Sequence, residues 1–260
     1  MADERYDEIK RLLAGTRPAE IRQGLTLVKQ EIARVGSQEA RPLFELVSAL
    51  FYYDPLDHPE LVGVLDEAVS LVVGFGEWVI PVLLESIEAG DMKAQLAMGH
   101  ALGRLGADAV EPLMEAYRAT DDPERRTFAV YALGKIPSPK VAGAAPLVLE
   151  AAGSADRELR DTATRALGRM AEWMAPELLP PEWREACIAR LTYNLADPSP
   201  SIRAKAMRSL GKLARHGHMT PAERQTLGAA CRRILGTDEN YDWDRSYVVR
   251  KEAEEALSYV

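Results

Sequence analysis

The sequence predicts an all-α fold, a right-handed α-α superhelix built from stacked antiparallel helix pairs. Two kinds of helical segment alternate along most of the chain: one recurs as a similar phrase of small and apolar residues, and the other is a short amphipathic helix. The recurring phrase returns at intervals of 31, 34, 43 and 47 residues, and such intervals are typical of stacked helical repeats. No β-strand is expected.

Composition and charge narrow the class of protein. The 260 residues are 47% hydrophobic and 28% charged, which is normal for a globular domain. The net charge of −8 argues against a protein that coats nucleic acid, because such proteins neutralise phosphates with an excess of Lys and Arg. Cys187 and Cys231 stand far apart and outside any Cys-x-x-Cys spacing, so neither a disulfide framework nor a zinc site is expected, and a reducing cytoplasm fits best.

The first 76 residues carry the repeat pattern only weakly. The N-terminal stretch MADERYDEIKRLLAG lacks a basic start followed by an apolar run, so it predicts an amphipathic helix and not a signal peptide. The most apolar stretch, residues 61–84, is interrupted by charged residues and glycines, and it predicts two buried helices without a membrane span. We expect residues 1–76 to form divergent repeats, with residues 1–40 as a cap over the apolar end of the stack.

A leucine anchors each copy of the recurring phrase. Residues four before, one before and three after this anchor leucine are mostly small or apolar, which places them on one helical face. A glycine follows the anchor in four of the five copies, where the missing side chain allows a neighbouring helix to approach closely. The anchor leucines are Leu102, Leu133, Leu167, Leu210 and Leu257, in phrases at 91–106, 121–136, 155–170, 197–214 and 244–260.

The short amphipathic helices alternate with these phrases. A proline lies near the start of the first three, where its missing N–H is tolerated, and an aspartate precedes the partner helix as an N-cap. The repeating unit is therefore a helix, a tight turn and a second helix. The short helices are expected at 78–90, 109–120, 144–153, 181–196 and 220–236, with Pro81, Pro112 and Pro146, caps at Asp91, Asp122 and Asp156, and added loops at 174–183 and 235–244.

The copies VYALGKI, TRALGRM and MRSLGKLA resemble the HEAT repeat, especially the bacterial phycobilisome-lyase-like (PBS lyase HEAT-like) type. The resemblance covers residues 77–260 and extends more loosely over residues 1–76, so it implies a single solenoid of residues 1–260. In such repeats an arginine of the second helix commonly binds an aspartate in a neighbouring turn, which fixes the angle between units. The resemblance implies this structural role for Arg126, Arg160, Arg203 and Arg250, each seven residues before its anchor, and for Asp122, Asp156 and Asp197, while Gln95 replaces the arginine in the first copy.

Positions two before and two after the anchor share a more exposed helical face, and most of them are basic. One interpretation is a positively charged groove for an acidic peptide, a phosphorylated partner or nucleic acid. The other is that these side chains pair with nearby carboxylates such as Glu111, Glu115 and Glu150. The candidate partner-binding residues are Arg104, Tyr131, Lys135, Arg165, Arg169, Arg208 and Lys212; His100 begins the series and Glu255 ends it.

The remaining His, Cys and Trp residues do not indicate a metal site or a catalytic site. His216 and His218 form a His-x-His pair without further clustered ligands, which favours a solvated loop over a metal site. Cys187 and Cys231 have apolar neighbours and are expected to be small buried hydrophobes. No metal, cofactor or catalytic acid–base pair is expected. The tryptophans, Trp78, Trp173, Trp183 and Trp243, are interpreted as core residues, the last three being possible contact anchors near the loops.

The sequence therefore favours a cytoplasmic, non-catalytic scaffold, adaptor or assembly factor that binds a macromolecular partner on a concave surface. The expected partner is a protein with an acidic or phosphorylated surface, and nucleic acid is disfavoured. The resemblance implies two alternatives: a subunit of a bilin lyase-like enzyme that acts on a chromoprotein, and a HEAT-like DNA-binding repair protein. The second would need a strongly basic cleft, which the acidic composition argues against.

Overall fold

The computed structural model describes residues 2–86, 91–240 and 242–260, and within these ranges the secondary structure is helical with no β-strand. The fold is the all-α solenoid class that the sequence predicts. The chain divides into two compact units, Met1–Pro112 and Leu113–Val260; the single solenoid expected over residues 1–260 stays a prediction. Residues 87–90 of the expected helix 78–90, and residue 241 of the expected loop 235–244, lie outside the described residues.

The first unit packs its helices around an apolar interior. Helix α1 lies along α2, α2 along α4 and α4 along α6. Edge-to-face contacts join the rings of Phe44, Phe75 and Trp78, whose centroids are 5.5 to 6.1 Å apart. The helices are α1 (Ala2–Leu13), α2 (Pro18–Val35), α3 (Arg41–Ser48), α4 (Val62–Leu71), α5 (Val79–Ser86) and α6 (Met92–Leu105), and α7 (Val110–Arg118) begins at the end of this unit.

The apolar stretch 61–84 forms two helices, as predicted. They are α4 and α5, and both carry buried faces. A 3₁₀ turn follows α4 and ends at Gly76, whose φ of 79° favours a residue without a side chain. None of the helices within the described ranges combines the length and apolarity needed to cross a membrane.

The second unit contains the regular repeats. Its second helices pack side by side in the order α8, α10, α12 and α14, and the first helices of the repeats pack against them. The row of second helices consists of α8 (Pro123–Leu133), α10 (Arg157–Met170), α12 (Pro200–Arg215) and α14 (Tyr247–Leu257), and the companions after α7 are α9 (Ala145–Ala151), α11 (Pro181–Asn194) and α13 (Pro221–Leu235).

The predicted caps start the second helices. The carboxylate of Asp91 accepts the N–H of Ala94 at 2.8 Å at the start of α6. Asp156 accepts the N–H of Leu159 at 2.8 Å at the start of α10. At α8, Asp122 accepts from Glu124 N–H, at 3.0 Å. Each aspartate satisfies a backbone donor that the helix itself leaves without an acceptor.

Gly134, Gly168 and Gly211, which follow three of the anchors, lie where neighbouring second helices touch, and this confirms the predicted close approach at these three positions. A Cβ added to Gly134 would lie 3.1 Å from the Cβ of Ala166, and one added to Gly211 would lie 3.1 Å from that of Ala256. The contact at Gly168 is tighter, because an added Cβ would lie 2.6 Å from the Cα of Ser209. In every case the glycine meets the small residue that precedes the next anchor leucine.

The anchor leucines form the centre of the packing, with one exception. Leu102, Leu133, Leu167 and Leu210 are buried. Leu257 is only half-buried in α14, which packs against α12 and α13.

Three expectations about aromatic side chains were wrong. His218 is only 1% exposed, because its ring reaches back to the end of α10, so it does not belong to a solvated loop. Trp173 and Trp243 lie in the connections after α10 and before α14 and are 44% and 57% exposed, so they are not core residues. Trp183 is buried on α11 as expected.

Candidate functional site

The arginine seven residues before each anchor binds the turn that precedes its own helix. Arg160 on α10 donates from Nη1 to the carbonyl oxygen of Ser154 at 2.7 Å. Arg203 on α12 donates from Nη1 to the carbonyl oxygen of Asp197 at 2.9 Å. Each carbonyl lies six residues before its arginine, and the remaining guanidinium atoms are therefore free to reach forward along the row. The same six-residue contact holds Arg126 to Thr120 and Arg250 to Asp244.

Two of these arginines also bind the next repeat. Arg160 Nε donates to Asp197 Oδ2 at 2.8 Å, and Arg203 donates from Nε and Nη2 to the two oxygens of Asp244 at 2.7 and 3.0 Å. Burial by itself raises the pKa of the Asp244 carboxyl, but hydrogen bonds from Arg203 and Ser246 outweigh it and hold that pKa below its usual range. These charge-assisted contacts clamp α10 to the turn before α12, and α12 to the turn before α14.

The two clamps identify Asp244, which the sequence interpretation did not single out. Asp197 and Asp244 both lie six residues before an arginine of the series, so their common spacing is the signal that could have found Asp244. Asp122 and Asp156 lie at helix starts instead, where their carboxylates cap α8 and α10.

The junction between α8 and α10 lacks a clamp of this kind. The residue equivalent to Asp197 is Ser154, six residues before Arg160, and it has no carboxylate to offer Arg126. Arg126 instead binds Asp121 in its own turn at 2.7 Å, and its guanidinium lies 4.9 Å from the centroid of the Tyr117 ring.

Three of the seven candidate partner-binding residues form ion pairs within the chain. In the first unit, Arg104 binds the carboxylate of Asp66 and donates to its carbonyl oxygen at 2.7 Å. In the second unit, Arg208 on α12 binds both carboxylate oxygens of Glu252 on α14, and Lys212 binds Glu172 at 2.5 Å. These pairs support the interpretation of the basic positions as internally neutralised charges.

The other four candidates adjoin where α8 meets α10, and we refer to Tyr131, Lys135, Arg165 and Arg169 as the basic cluster. The ammonium of Lys135 lies 4.8 Å from the centroid of the Tyr131 ring. The charges of Arg165 and Arg169 act on both of these side chains. Within the described ranges, neither arginine has an ion pair or a side-chain hydrogen bond to a carboxylate.

Burial shapes the protonation of the basic cluster. Burial raises the pKa of Tyr131, so its hydroxyl is protonated at neutral pH. Burial and the charges of Arg169 and Arg165 lower the pKa of Lys135 to about 8. The Nε–H of Arg169 is buried, and no acceptor for it exists among the described residues. The cluster therefore concentrates positive charge, and the Nε–H of Arg169 within it has no described hydrogen-bond acceptor.

The cysteines are poorly suited to nucleophilic chemistry. Cys187 and Cys231 are free and buried, as expected. Burial raises the pKa of Cys187 to about 12 and that of Cys231 to about 11. Both are therefore protonated thiols at neutral pH, and a thiol is a weak nucleophile compared with a thiolate.

Comparison with known proteins agrees with the repeat geometry. Residues 80–168 match the family of HEAT repeats. The chain therefore contains HEAT repeats over this range. This confirms the resemblance stated from the repeated phrases, and no curated protein matches the sequence.

Solved structures share the fold of this chain at low sequence identity. A chain of the complex of CpcE and CpcF, of the phycocyanin lyase from Nostoc sp. PCC7120, is 22% identical with a TM-score of 0.54, over 68% of this chain and 97% of that one. A designed armadillo repeat protein in complex with the peptide (KR)4 is 16% identical with a TM-score of 0.53, over 90% and 98%. Importin beta is 17% identical with a TM-score of 0.62, over 96% of this chain but only 35% of its own length. These likenesses show the fold.

Proposed function

We propose that this protein is a non-catalytic scaffold that binds a protein partner through the outward side of the row α8, α10, α12 and α14. The observation that carries the proposal is the basic cluster, where two neighbouring second helices bring cations together and no described carboxylate pairs with Arg165 or Arg169. Solenoid interiors serve stacking, so binding residues are expected on the outward side of the repeated helices.

The charge of the cluster favours a partner with negative charge. A designed armadillo protein of similar fold binds a basic peptide, (KR)4. The basic cluster is itself positively charged, so it would attract an acidic or phosphorylated segment instead of a basic one. The internal ion pairs of Arg208 and Lys212 confine the attraction to the α8–α10 end of the row.

Charge reversal tests the proposal. The variant Arg165→Glu/Arg169→Glu of the full chain would be compared with the wild type by quantitative cross-linking in extract of the native cell. We expect the cross-links to a specific partner protein to fall at least about tenfold, because two favourable charges become repulsive. Circular dichroism and thermal melting would show that the variant is folded.

A matched control carries the same change of charge elsewhere. Arg157 and Arg233 are exposed, on α10 and α13, and neither belongs to the basic cluster. The variant Arg157→Glu/Arg233→Glu should keep the partner. Equal binding by all three proteins, or equal loss in both variants, would show that the basic cluster is not the binding surface. Visible absorption of the protein purified from its native cell would favour the bilin lyase alternative.

A further inference from the structure

The basic cluster arises because the carboxylates that neutralise Arg208 and Lys212 on α12 have no acidic equivalents beside Arg165 and Arg169 on α10. Glu252, which binds Arg208, lies five residues before its anchor leucine, and the equivalent residue one repeat earlier is Lys205. Arg165 is the equivalent of Arg208. At the position where Arg208 has the acid Glu252, Arg165 therefore has the positively charged Lys205. Lys205 itself binds Asp161 on α10, so it is held in place by another partner.

The same comparison explains Arg169. Lys212 binds Glu172, which lies five residues after the preceding anchor leucine. One repeat earlier, Arg169 takes the place of Lys212, and Ser138 takes the place of Glu172. Ser138 carries no charge. Arg165 and Arg169 therefore occupy the same repeat positions as Arg208 and Lys212. The acids that neutralise Arg208 and Lys212 have no equivalents beside Arg165 and Arg169.

The packing of α8 on α10 holds these cations close together. Gly134 lies against Ala166, and these two residues directly adjoin Lys135 and Arg165 in sequence. The short contact between small residues brings the basic side chains of the two helices to one place. Their mutual repulsion and the buried Nε–H of Arg169 are unfavourable features that an external acceptor with negative charge would relieve.

We infer that the basic cluster is a binding site for a single doubly charged oxyanion, the phosphate monoester of a partner polypeptide, held by the guanidinium groups of Arg165 and Arg169 and the ammonium of Lys135. The inference deepens the proposed function and rests on it for the source of the phosphate. Arginine pairs recognise phosphate because the planar guanidinium donates two parallel hydrogen bonds to its oxygens. Phosphorylated side chains are commonly bound by such clusters.

The charge distribution favours one phosphate group over a nucleic acid strand. A strand needs several successive phosphate contacts and an overall positive field. In this chain, Arg208 and Lys212 are occupied by Glu252 and Glu172, and the net charge is −8. A single site fits these observations, whereas a groove that follows a nucleic acid backbone does not.

Phenyl phosphate is a suitable probe, because it is a phosphate monoester with no peptide attached. The purified full chain would be titrated against it by ³¹P NMR at constant ionic strength, with chloride as the matched salt. We expect saturable binding by ³¹P NMR, and ¹H–¹⁵N spectra of the wild type should show a shift of the Arg169 Nε–Hε resonance. The variants Arg165→Gln and Arg169→Gln should each weaken binding at least about tenfold, since each removes charge-assisted hydrogen bonds.

Arg157→Gln is the matched control, because Arg157 lies on the same helix, is exposed and binds only Glu158. It should leave binding unchanged. The inference is overturned if chloride gives the same shifts, if both cluster variants bind as the wild type does, or if the control loses binding equally.

Further titrations distinguish the source of the phosphate. A phosphoserine peptide should bind through the same arginines, and its unphosphorylated form should not. Tighter binding of inorganic phosphate than of both monoesters, or of a short single-stranded DNA with steep salt dependence, would overturn the assignment to a partner polypeptide. Because these titrations need no partner protein, phenyl phosphate binding without any effect of charge reversal on cross-linking would refute the proposed function alone.

Discussion

The α10–α12 junction and the α8–α10 junction both place second helices side by side, but they differ in their ion pairs. At the α10–α12 junction three ion pairs join one repeat to the next: Arg160 to Asp197, Lys205 to Asp161, and Lys212 to Glu172. At the α8–α10 junction the helices bring cations together and Arg126 turns back to its own loop. The comparison teaches that a repeat junction becomes a candidate binding site when its acids are replaced, with no change in the backbone architecture.

The two junctions also differ in how tightly they pack. Ser209 on α12 approaches Gly168 closely, and its hydroxyl donates to the carbonyl oxygen of Thr164 at 2.8 Å. The amide of Asn194 donates to the hydroxyl of Thr164 at 2.9 Å. This buried network satisfies its polar groups and fixes the packing at the α10–α12 junction. The corresponding contact at α8–α10 is between Gly134 and the methyl group of Ala166.

The largest effect is expected from Gly168→Ala. The new Cβ would lie 2.4 Å from the hydroxyl oxygen and 2.6 Å from the Cα of Ser209, so α10 and α12 must separate. Overpacking of this kind typically lowers the free energy of unfolding by about 1–3 kcal/mol, and we expect the upper end of that range. Urea denaturation would measure the loss.

Gly134→Ala is the comparison for this prediction, because its Cβ would lie 3.1 Å from the nearest atom. It should lose about 1 kcal/mol or less, because alanine readily adopts the φ of −67° at this C-cap and restricts the unfolded chain, which offsets part of the crowding. Similar losses in the two variants would contradict the difference in packing between the junctions.

The second effect concerns the clamp, tested by Asp197→Asn. Arg160 and Asp197 are 19% and 7% exposed, so removal of the acid leaves a largely buried guanidinium without its counter-charge. We expect a loss of about 2 kcal/mol in the free energy of unfolding, measured by urea denaturation.

Asp121→Asn is the matched variant at the α8–α10 junction. The Asp121 side chain is fully exposed, and exposed pairs contribute little to stability. No measurable change is expected. A loss equal to that of Asp197→Asn would mean that the two arginines are equally stabilised by their acids.

The third prediction restores an acid to the basic cluster through Ser138→Glu, at the position equivalent to Glu172. The added carboxylate favours the charged form of Lys135, so its pKa should rise above about 8. Phenyl phosphate binding should weaken at least about tenfold, because the anion now competes with an internal charge. An NMR titration of Lys135 and the ³¹P assay would measure both.

Ser138→Gln is the control for this variant, since it loses the same hydroxyl acceptor for Lys140 N–H without the added charge. Binding of phenyl phosphate by Ser138→Gln should match the wild type. If Ser138→Glu binds as well as this control, the equivalence between Ser138 and Glu172 does not hold.

The smallest effect is a pH dependence at the end of α10. The ring of His218 is buried and its Nε2 lies 3.0 Å from the carbonyl oxygen of Ala171. Burial lowers the pKa of His218, and the charges of His216 and Arg184 lower it further. Hydrogen bonds to backbone carbonyls act in the opposite direction but do not outweigh burial. The unfolded chain therefore binds this proton at higher pH than the folded chain does.

The contribution of neutral His218 to the free energy of unfolding is complete above the unfolded-state pKa of 6.5. It decreases as the pH falls below that value. The slope cannot exceed about 1.4 kcal/mol per pH unit, because one proton is involved. The variant His218→Asn should lose this slope in urea denaturation at pH 5.5 to 7, whereas His216→Asn should retain it. An unchanged slope in His218→Asn would assign the dependence to other groups.

Much of the fold could be predicted from sequence because the repeat makes local signals reinforce one another. The aspartate caps and the glycines after the anchors act within one helix or at one repeated contact, so their roles follow from residue type and spacing. His218 could not be predicted in this way. Its burial depends on Ala171, which is 47 residues away in sequence, and a His-x-His pattern contains no information about that contact.

The candidate site was predictable only as a set of basic positions. Arg165, Arg169, Arg208 and Lys212 look equivalent in the sequence, and all four occupy the same two positions relative to an anchor. Their different environments follow from the residues of the adjoining repeats. The positions of Glu252 and Glu172 relative to the anchors distinguish the two pairs of cations. Those positions become interpretable only after the structure shows which residues meet across a junction.

The sequence by itself determined the helices, the order of the repeats and the face that each second helix buries, because periodicity, caps and small residues act locally. Only the tertiary structure decided which cations are neutralised and which form the basic cluster. The physical reason is that an ion pair depends on distances of a few ångströms between side chains of different helices, and those distances are set when the helices pack.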